Sequence, residues 1–133
     1  MSDANVALVR TIYDAFARGD VAAVLEGMSP AIIWNEAENF PYADQNPYVG
    51  PTAVAQGVFA RLGGEWDGFS VKIEEIHGAG NVVVARGRYT GIYRKTGRSI
   101  DAQMVHFWRV TDGKAISFQQ YVDTLQVARA VGP

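Results

Sequence analysis

The sequence predicts an α+β fold shaped as a cone, with three N-terminal helices packed on a curved antiparallel sheet. Apolar residues recur every three or four positions in the first twenty residues, which is the spacing of one helix face. From residue 69 onward, apolar residues alternate with polar ones between turn-forming residues, as in a meander of strands. Because such a sheet cannot bury its apolar face alone, the helices must cover one side and leave an open mouth.

The bulk composition is that of one globular domain. The chain has 133 residues, of which 48% are hydrophobic and 20% are charged, so we expect a single domain over residues 1–133. A net charge of −2 argues against general nucleic-acid binding, which requires a basic surface. No apolar run is long enough to span a membrane, and charged residues interrupt the N-terminal region, so neither a membrane span nor a secretory leader is expected.

The residue types that most often bind metals are scarce. The chain has no cysteine and only two histidines, His77 and His106. This composition excludes disulfides and thiolate catalysis and disfavours a multi-histidine metal site. We therefore expect a cytoplasmic protein that uses no metal or other cofactor.

Two helices are predicted before the first strand. One runs from about Asp3 to Arg18 and ends at Gly19. Its apolar face consists of Val6, Val9, Tyr13 and Phe16. Asp20 is placed to cap a second, short helix through Leu25.

A first strand and a long loop follow. Ala31–Trp34 is β-branched and aromatic, which favours a strand. Residues 36–51 contain three prolines and three aromatic residues, and loops of this length in compact domains often cover a site. Tyr42 and Tyr48 could either form a lid over the mouth or anchor the loop to the core.

A third helix precedes the meander. Thr52 is predicted to cap it, and Gly63-Gly64 to end it. Its apolar face consists of Val54, Val58, Phe59 and Leu62. Trp66 lies in a turn-rich connector and is expected to plug the end of this helix.

Four strands complete the sheet. They are predicted at Phe69–His77, Asn81–Tyr93, Ile100–Val110 and Ala115–Val122. The Asp112-Gly113 pair is a strong hairpin signal between the last two strands. Asp123 then caps a short final helix.

Residues 8–20 read LVRTIYDAFARGD, residues 105–114 read VHFWRVTDGK, and YVDT stands at residues 121–124. These stretches resemble the nuclear-transport-factor-2-like superfamily, which includes ketosteroid isomerases and SnoaL-like polyketide cyclases. The likeness extends to the order of elements over essentially the whole chain. It implies a cystatin-like cone with a small-molecule pocket, but it leaves the activity open because this fold hosts many chemistries.

The resemblance also implies positions for catalytic residues. The isomerase's general-base aspartate falls on Asn35, its oxyanion-holding tyrosine on Ile12 beside Tyr13, and its oxyanion-holding acid on His106. None of these residue types is retained, so steroid isomerisation by that mechanism is not expected. The carboxylate that SnoaL-like cyclases carry on the last strand falls nearest to Asp123, which strand alternation turns outward unless a bulge intervenes.

Strand alternation predicts which residues line the pocket. The catalytic candidates are His106, Asn35 and Asp123, and the ligand-binding candidates are Tyr13, Trp34, Tyr89, Met104, Trp108, Phe118 and Gln120. The small residues Ala85 and Gly87 would leave open volume. His106 could move protons in an apolar cone, or it could be a core histidine bonded to Gln120 or Asn35. Trp34 and Trp108 could stack on a ligand or simply pack.

Two acids near the first strand are further candidates. Glu36 follows Asn35, so alternation turns it to the opposite face unless a bulge reverses it. Glu38 lies on the loop beyond. Either carboxylate is more often solvated.

The predicted outer face of the sheet is apolar enough for an interface. Its residues are Gln103, Val105, Phe107, Gln119 and Tyr121. Such a patch commonly marks an interaction surface, and superfamily relatives often dimerise through this convex face. We therefore expect a homodimer.

Three functions are compatible with these observations. The first is a cofactor-free isomerase, cyclase or hydrolase acting on an apolar carbonyl compound. In it His106 would donate or accept the proton, and Asn35, Gln120 or Tyr13 would polarise the oxygen. The second is a non-catalytic module that binds a hydrophobic metabolite, and the third is an accessory protein that only associates through its sheet.

Overall fold

The computed structural model of the protein describes residues 2–132. The helices are α1 (Ser2–Ala17), α2 (Val21–Glu26), α3 (Pro51–Val54), α4 (Ala60–Glu65) and α5 (Thr124–Val131), with a 3₁₀ helix at Pro41–Gln45 and a π-helical turn at Ala55–Phe59. The strands are β1 (Met28–Asn35), β2 (Tyr48–Val49), β3 (Trp66–Ala79), β4 (Val82–Tyr93), β5 (Ser99–Thr111) and β6 (Lys114–Val122). The predicted α+β cone is confirmed. Within the described range, no helix has the length and apolar character needed to cross a membrane.

All strands belong to one sheet with the order β2-β1-β6-β5-β4-β3. Strands β3 to β6 form the predicted antiparallel meander. The sheet differs from the prediction at its other edge, where β1 runs parallel to β6 and β2 adds a sixth strand beside β1. The spacing of apolar residues predicts a strand but does not encode the direction of its neighbour, which the path of the preceding helices decides.

The predicted aspartate caps are confirmed. The Asp20 carboxylate accepts a hydrogen bond from the backbone N–H of Ala23 at 3.1 Å, at the start of α2. The Asp123 carboxylate accepts one from the backbone N–H of Gln126 at 3.2 Å, at the start of α5. Each satisfies a backbone donor that the helix leaves unpaired in its first turn.

The third helical segment departs from the prediction at both ends. Gly50, not Thr52, occupies the N-cap, and Pro51 takes the first helical position, where its missing N–H costs no hydrogen bond. Gly63 and Gly64 do not end the segment, because the helix continues to Glu65. Trp66 therefore starts β3 directly instead of lying in a connector.

The loop after β1 is anchored to the core. Tyr42 and Tyr48 are each 2% exposed. The Tyr48 hydroxyl donates to the Tyr42 carbonyl at 2.5 Å, and the Tyr42 hydroxyl donates to a Glu65 carboxylate oxygen at 2.5 Å. Trp66 Nε1 donates to the Tyr42 hydroxyl at 3.1 Å. These contacts favour the anchoring alternative over a lid.

Gly57 lets this loop lie close to the helix. A Cβ at Gly57 would lie 2.2 Å from a ring carbon of Tyr48, whereas a Cβ at Gly63 would meet nothing within 4 Å. Alanine substitutions at Gly57 and Gly63 can therefore distinguish a steric clash from the general preference of helices for alanine over glycine.

We expect Gly57→Ala to lower the free energy of unfolding by about 1–3 kcal/mol, since the buried Tyr48 ring must move. Gly63→Ala, the matched control, should raise it by about 0.5–1 kcal/mol because alanine is the better helix former. Urea unfolding followed by circular dichroism measures both. Equal effects of the two substitutions would contradict the proposed ring contact.

Candidate functional site

The cone contains a hollow between the inner face of the sheet and the helices. Its volume, counted as the space that the centre of a water molecule can reach, is about 50 Å³. One water needs about 10–15 Å³ on this measure, so the interior is not packed solid. The lining residues are Ile12, Tyr13, Phe16, Trp34, Glu36, Phe40, Val58, Phe59, Leu62, Phe69, Val71, Tyr89, His106, Trp108, Phe118 and Gln120.

Most of the predicted lining residues are in place. Those that line the hollow are Tyr13, Trp34, Tyr89, His106, Trp108, Phe118 and Gln120. Asn35 does not; it lies at an open polar groove outside the hollow. Met104 is buried but does not line the hollow, and Asp123 is exposed at the α5 cap. The structure therefore places three of the predicted site residues, Asn35, Met104 and Asp123, outside the hollow.

The open volume does not arise from the small residues of β4. A Cβ at Gly87 would lie 1.8 Å from the Lys72 carbonyl oxygen of the neighbouring strand. The strand register shifts close by, between Ile73 and Glu75. Gly87 therefore allows β3 to bend tightly over β4, as glycines do where two backbones approach. Neither Ala85 nor Gly87 lines the hollow.

Glu36 is the functional candidate that the sequence prediction misplaced. Ile32, Trp34 and Glu36 alternate on the buried face of β1 and its extension, and Glu36 is 2% exposed. Glu36 needs no bulge to face inward, because Trp34 faces inward and residues two apart on a strand point to the same side. This alternation is the signal in the sequence that places Glu36 inside, and it turns Asn35 to the face opposite Trp34.

Two neighbours hold Glu36 in place. Trp34 Nε1 donates to Glu36 Oε2 at 3.0 Å. The side-chain amide of Asn46 pairs with the Glu36 backbone, accepting from its N–H at 3.0 Å and donating to its carbonyl at 2.8 Å. Among the hydrogen bonds of residues 2–132, none reaches Oε1, and this oxygen is not sealed off within the protein.

Burial makes Glu36 a stronger base than an ordinary glutamate. Desolvation raises its pKa from 4.5 to about 7, although the Trp34 hydrogen bond and the charge of Arg61 act in the opposite direction. A carboxylate with this proton affinity can both take and return a proton near neutral pH.

His106 lies between two tyrosines. Its Nδ1 contacts the Tyr13 hydroxyl at 2.7 Å, and its Nε2 contacts the Tyr89 hydroxyl. Trp108 Nε1 donates to the Tyr13 hydroxyl oxygen at 2.9 Å, and Gln120 Nε2 donates to that of Tyr89 at 2.9 Å. Of the partners expected from sequence, Gln120 therefore reaches His106 only through Tyr89, and Asn35 does not reach it.

The three central groups are uncharged at neutral pH. Burial lowers the pKa of His106 to about 3, so the imidazole carries one proton. Burial also raises the pKa of both Tyr13 and Tyr89 above the ordinary phenol value. His106 thus presents one N–H and one lone pair to the two hydroxyls.

This network contains one more proton than it uses. Tyr13, Tyr89 and His106 supply three protons, and the two contacts with the imidazole require one each. Trp108 and Gln120 already donate to the two hydroxyl oxygens, so neither phenol proton can turn toward them. One tyrosine hydroxyl therefore keeps a free proton, and both tyrosines line the hollow.

Among residues 2–132, no cluster of three or more histidine, aspartate or glutamate side chains is arranged to hold a metal ion. A family model described as a SnoaL-like domain matches residues 9–118. The chain belongs to the SnoaL-like family. Among curated proteins, none matches it.

Solved structures agree with the family assignment. The SnoaL-like chain is similar to an NTF2-like protein from Burkholderia thailandensis, with 42% identity over 97% of this chain and 98% of that one, and a TM-score of 0.92. It shares its fold with TerC co-crystallised with polyporic acid, at 23% identity over 96% and 98% of the two chains and a TM-score of 0.85. An LEH-like epoxide hydrolase from M. tuberculosis has the same fold at 17% identity, over 98% and 90% of the chains, with a TM-score of 0.76.

The hollow of this SnoaL-like chain contains a carboxylate and phenol hydroxyls. The positions expected from the resemblance hold Asn35 and Ile12, but the next residue along the chain in each case, Glu36 or Tyr13, places a carboxylate or a hydroxyl in the hollow. The carboxylate and the hydroxyl in the hollow therefore come from neighbouring residues and not from the positions that the resemblance implied.

The raised pKa of Glu36 predicts a pH-dependent stability. Between pH 4.5 and about 7 the folded chain binds more protons than the unfolded chain, so the free energy of unfolding falls as the pH rises through this window. Glu36→Gln removes the penalty of ionising a buried carboxylate. From about pH 5 to about pH 8, the variant should gain about 2–3 kcal/mol relative to wild type.

Urea unfolding at the two pH values measures this difference. Glu38→Gln is the matched control, because Glu38 is exposed. A Glu36→Gln variant whose stability tracks that of wild type at both pH values would contradict the assignment of a raised pKa.

Proposed function

We propose that this protein is a cofactor-free acid–base enzyme, an isomerase or cyclase, that acts on a small, flat, neutral carbonyl compound. Glu36 is the base, and the free tyrosine hydroxyl of the Tyr13–His106–Tyr89 network donates to the carbonyl oxygen. The observation that carries the proposal is the presence of both groups in one aromatic hollow. A mostly apolar cavity with a few polar groups is the usual character of a small-molecule site.

The chemistry follows from the two groups. Glu36 removes a proton from the carbon next to the carbonyl, and the phenol hydrogen bond stabilises the negative charge that develops on oxygen. Return of the proton to another carbon gives an isomer, whereas attack of the carbanion on a second carbonyl closes a ring and leaves an alkoxide, which takes the proton back from Glu36. Glu36 is regenerated in both reactions, so no external oxidant or reductant is required.

His106 has a different role from the one expected from sequence. Both of its ring nitrogens are engaged by tyrosines, and its low pKa keeps it from accepting a proton at neutral pH. We assign it the orientation of the two hydroxyls. The lining selects neutral ligands, because no lysine or arginine lies among the residues that surround the hollow.

A non-catalytic module for a hydrophobic metabolite is the second candidate. Nine aromatic side chains in the lining favour it, since they bind flat apolar molecules without any reaction. The co-crystal of the related TerC with polyporic acid is compatible with either function. The hollow disfavours an accessory protein without a ligand, because side chains leave its interior open.

Proton exchange with solvent distinguishes these functions. We expect wild type to catalyse exchange of the α-protons of 2-tetralone, a flat neutral ketone, in D₂O, and Glu36→Gln to reduce the rate by about 100-fold or more. The wild-type rate should rise with pH and level off above about 7, as Glu36 ionises. Proton NMR of the ketone measures the rate.

Glu38→Gln is the control and should exchange as wild type does. If 2-tetralone binds with equal affinity to wild type and to Glu36→Gln and neither exchanges its protons, the binding module is the better description.

We also propose a homodimer formed through the convex face of the sheet. On this face Phe107 pairs with Gln119, and Val105 with Tyr121, so the side chains are contiguous. Tyr121 is 57% exposed, a large fraction for an aromatic residue in a sheet. Ile33 and Val49, cross-strand partners in β1 and β2, add two more exposed apolar side chains.

Tyr121→Glu should shift the protein from dimer to monomer, because a buried carboxylate without a partner opposes association. Multi-angle light scattering at micromolar concentration measures the mass. Leu125→Glu is the matched control, since Leu125 is 59% exposed but lies on α5. A wild-type monomer at these concentrations would rule the dimer out.

A further inference from the structure

Gln120 connects the two halves of the site with one side chain. Its Oε1 accepts a hydrogen bond from the backbone N–H of Ala37, the residue after Glu36, at 3.0 Å. Its Nε2 donates to the Tyr89 hydroxyl at 2.9 Å. The residue is 3% exposed, and it pairs with His106 in the β5–β6 ladder.

The orientation of the Gln120 amide is fixed by chemistry. A backbone N–H can only donate, so the carbonyl oxygen of the amide must face Ala37. The NH₂ group must then face Tyr89, whose hydroxyl oxygen accepts. The Tyr89 proton consequently cannot point at Gln120 and has only His106 or the hollow available to it.

The strand geometry explains why a side chain makes this connection. β1 and β6 run parallel, with Asn35 opposite Gln119 as the last paired residues. Beyond that pair the backbones separate, and the Ala37 N–H finds its partner in the Gln120 side chain instead of the β6 backbone. Gln120 thus stands between the segment that carries the base and the strand that carries Tyr89.

We propose that Gln120 is a positioning residue whose amide keeps one tyrosine proton free for the carbonyl oxygen of the ligand. If the side chain at position 120 offered Tyr89 an acceptor instead of a donor, the Tyr89 proton would turn to it. The other two protons would then fill the two contacts with His106, and no donor would remain for the ligand. The inference rests on the proposed function only in naming a carbonyl as the group that receives the proton.

The substitution Gln120→Glu tests this directly. The introduced carboxylate, once ionised, keeps the shape of the side chain and the acceptor for Ala37, but it reverses the hydrogen bond with Tyr89. The titratable groups that face this position are Glu36 after β1, Tyr89 of β4 and His106 of β5, so the variant is studied from about pH 6 to about pH 9.5 to cover a raised carboxyl pKa. Gln56→Glu, the same change at an exposed residue of the π-helical turn, is the control.

Two spectroscopic signatures report the proton arrangement. The ¹⁵N chemical shifts of His106 identify which ring nitrogen carries the proton. When the carboxylate introduced by Gln120→Glu is ionised, that proton must be on Nε2, because Tyr89 then accepts from the ring and Tyr13 donates to Nδ1. The ¹³C shift of carbonyl-labelled 2-tetralone reports a hydrogen bond to its oxygen by a downfield displacement.

We expect wild type and Gln56→Glu to show the downfield carbonyl at all pH values. Gln120→Glu should lose the downfield shift at pH values above the pKa of the introduced carboxyl, and its affinity for 2-tetralone should then be about tenfold weaker. Either of two results in Gln120→Glu overturns the inference. One is a downfield carbonyl throughout the pH range, and the other is a His106 proton on Nδ1 at the upper end of that range.

Further outcomes separate this inference from the proposed function. If wild type binds 2-tetralone with a downfield carbonyl but exchanges no α-protons, the function fails and the inference stands. If wild type does not bind 2-tetralone, the His106 tautomer in Gln120→Glu tests the inference alone: a proton on Nε2 supports it, and a proton on Nδ1 overturns it. If Gln120→Glu does not fold, Gln120→Met, which offers Tyr89 neither a donor nor a strong acceptor, should keep the downfield carbonyl of wild type, because one tyrosine proton remains free. Loss of the downfield carbonyl in Gln120→Met would overturn the inference.

Discussion

A polar atom that is sealed from water inside the protein must find a hydrogen-bond partner, and this requirement organises the site. A buried donor or acceptor left unpaired costs about 1–3 kcal/mol. Across residues 2–132 no fully buried side-chain nitrogen or oxygen lacks a hydrogen bond. The partners come from α1, β1, β4, β5 and β6, so satisfying them ties the helical wall to four strands. Disturbing one member therefore changes the proton arrangement of the others.

The same burial has opposite effects on the two ionisable groups that chemistry would use. It raises the pKa of Glu36 to about 7 and lowers that of His106 to about 3. Desolvation favours the neutral form of each, but the neutral form is protonated for the carboxyl and deprotonated for the imidazole. Glu36 consequently titrates near neutral pH, whereas His106 stays uncharged and serves as a fixed link between two hydroxyls. The division of roles follows from charge type, not from position in the hollow.

The proposed reactivity needs few residues because the hollow supplies the rest. Aromatic rings, among them the stacked pair Trp34 and Phe118 with centroids 3.7 Å apart, surround the two polar groups. A low-polarity wall strengthens each hydrogen bond inside it and excludes competing water. The anchored loop contributes through Asn46, whose amide fixes the backbone of the base. Members of one fold family can thus differ in chemistry by exchanging a few inward-facing side chains.

Local patterns in the chain determined most of the fold. The periodicity of α1, the alternation in β3 to β6 and the caps at Asp20 and Asp123 are short-range effects, so they could be predicted from neighbouring residues. The inward set on β5 and β6, including His106 and Gln120, followed from alternation alone. What only the tertiary structure decided was the parallel pairing of β1 with β6 and the meeting of Tyr13 with His106. Those depend on contacts between residues far apart in sequence, and no local spacing encodes which partner a buried polar group will find.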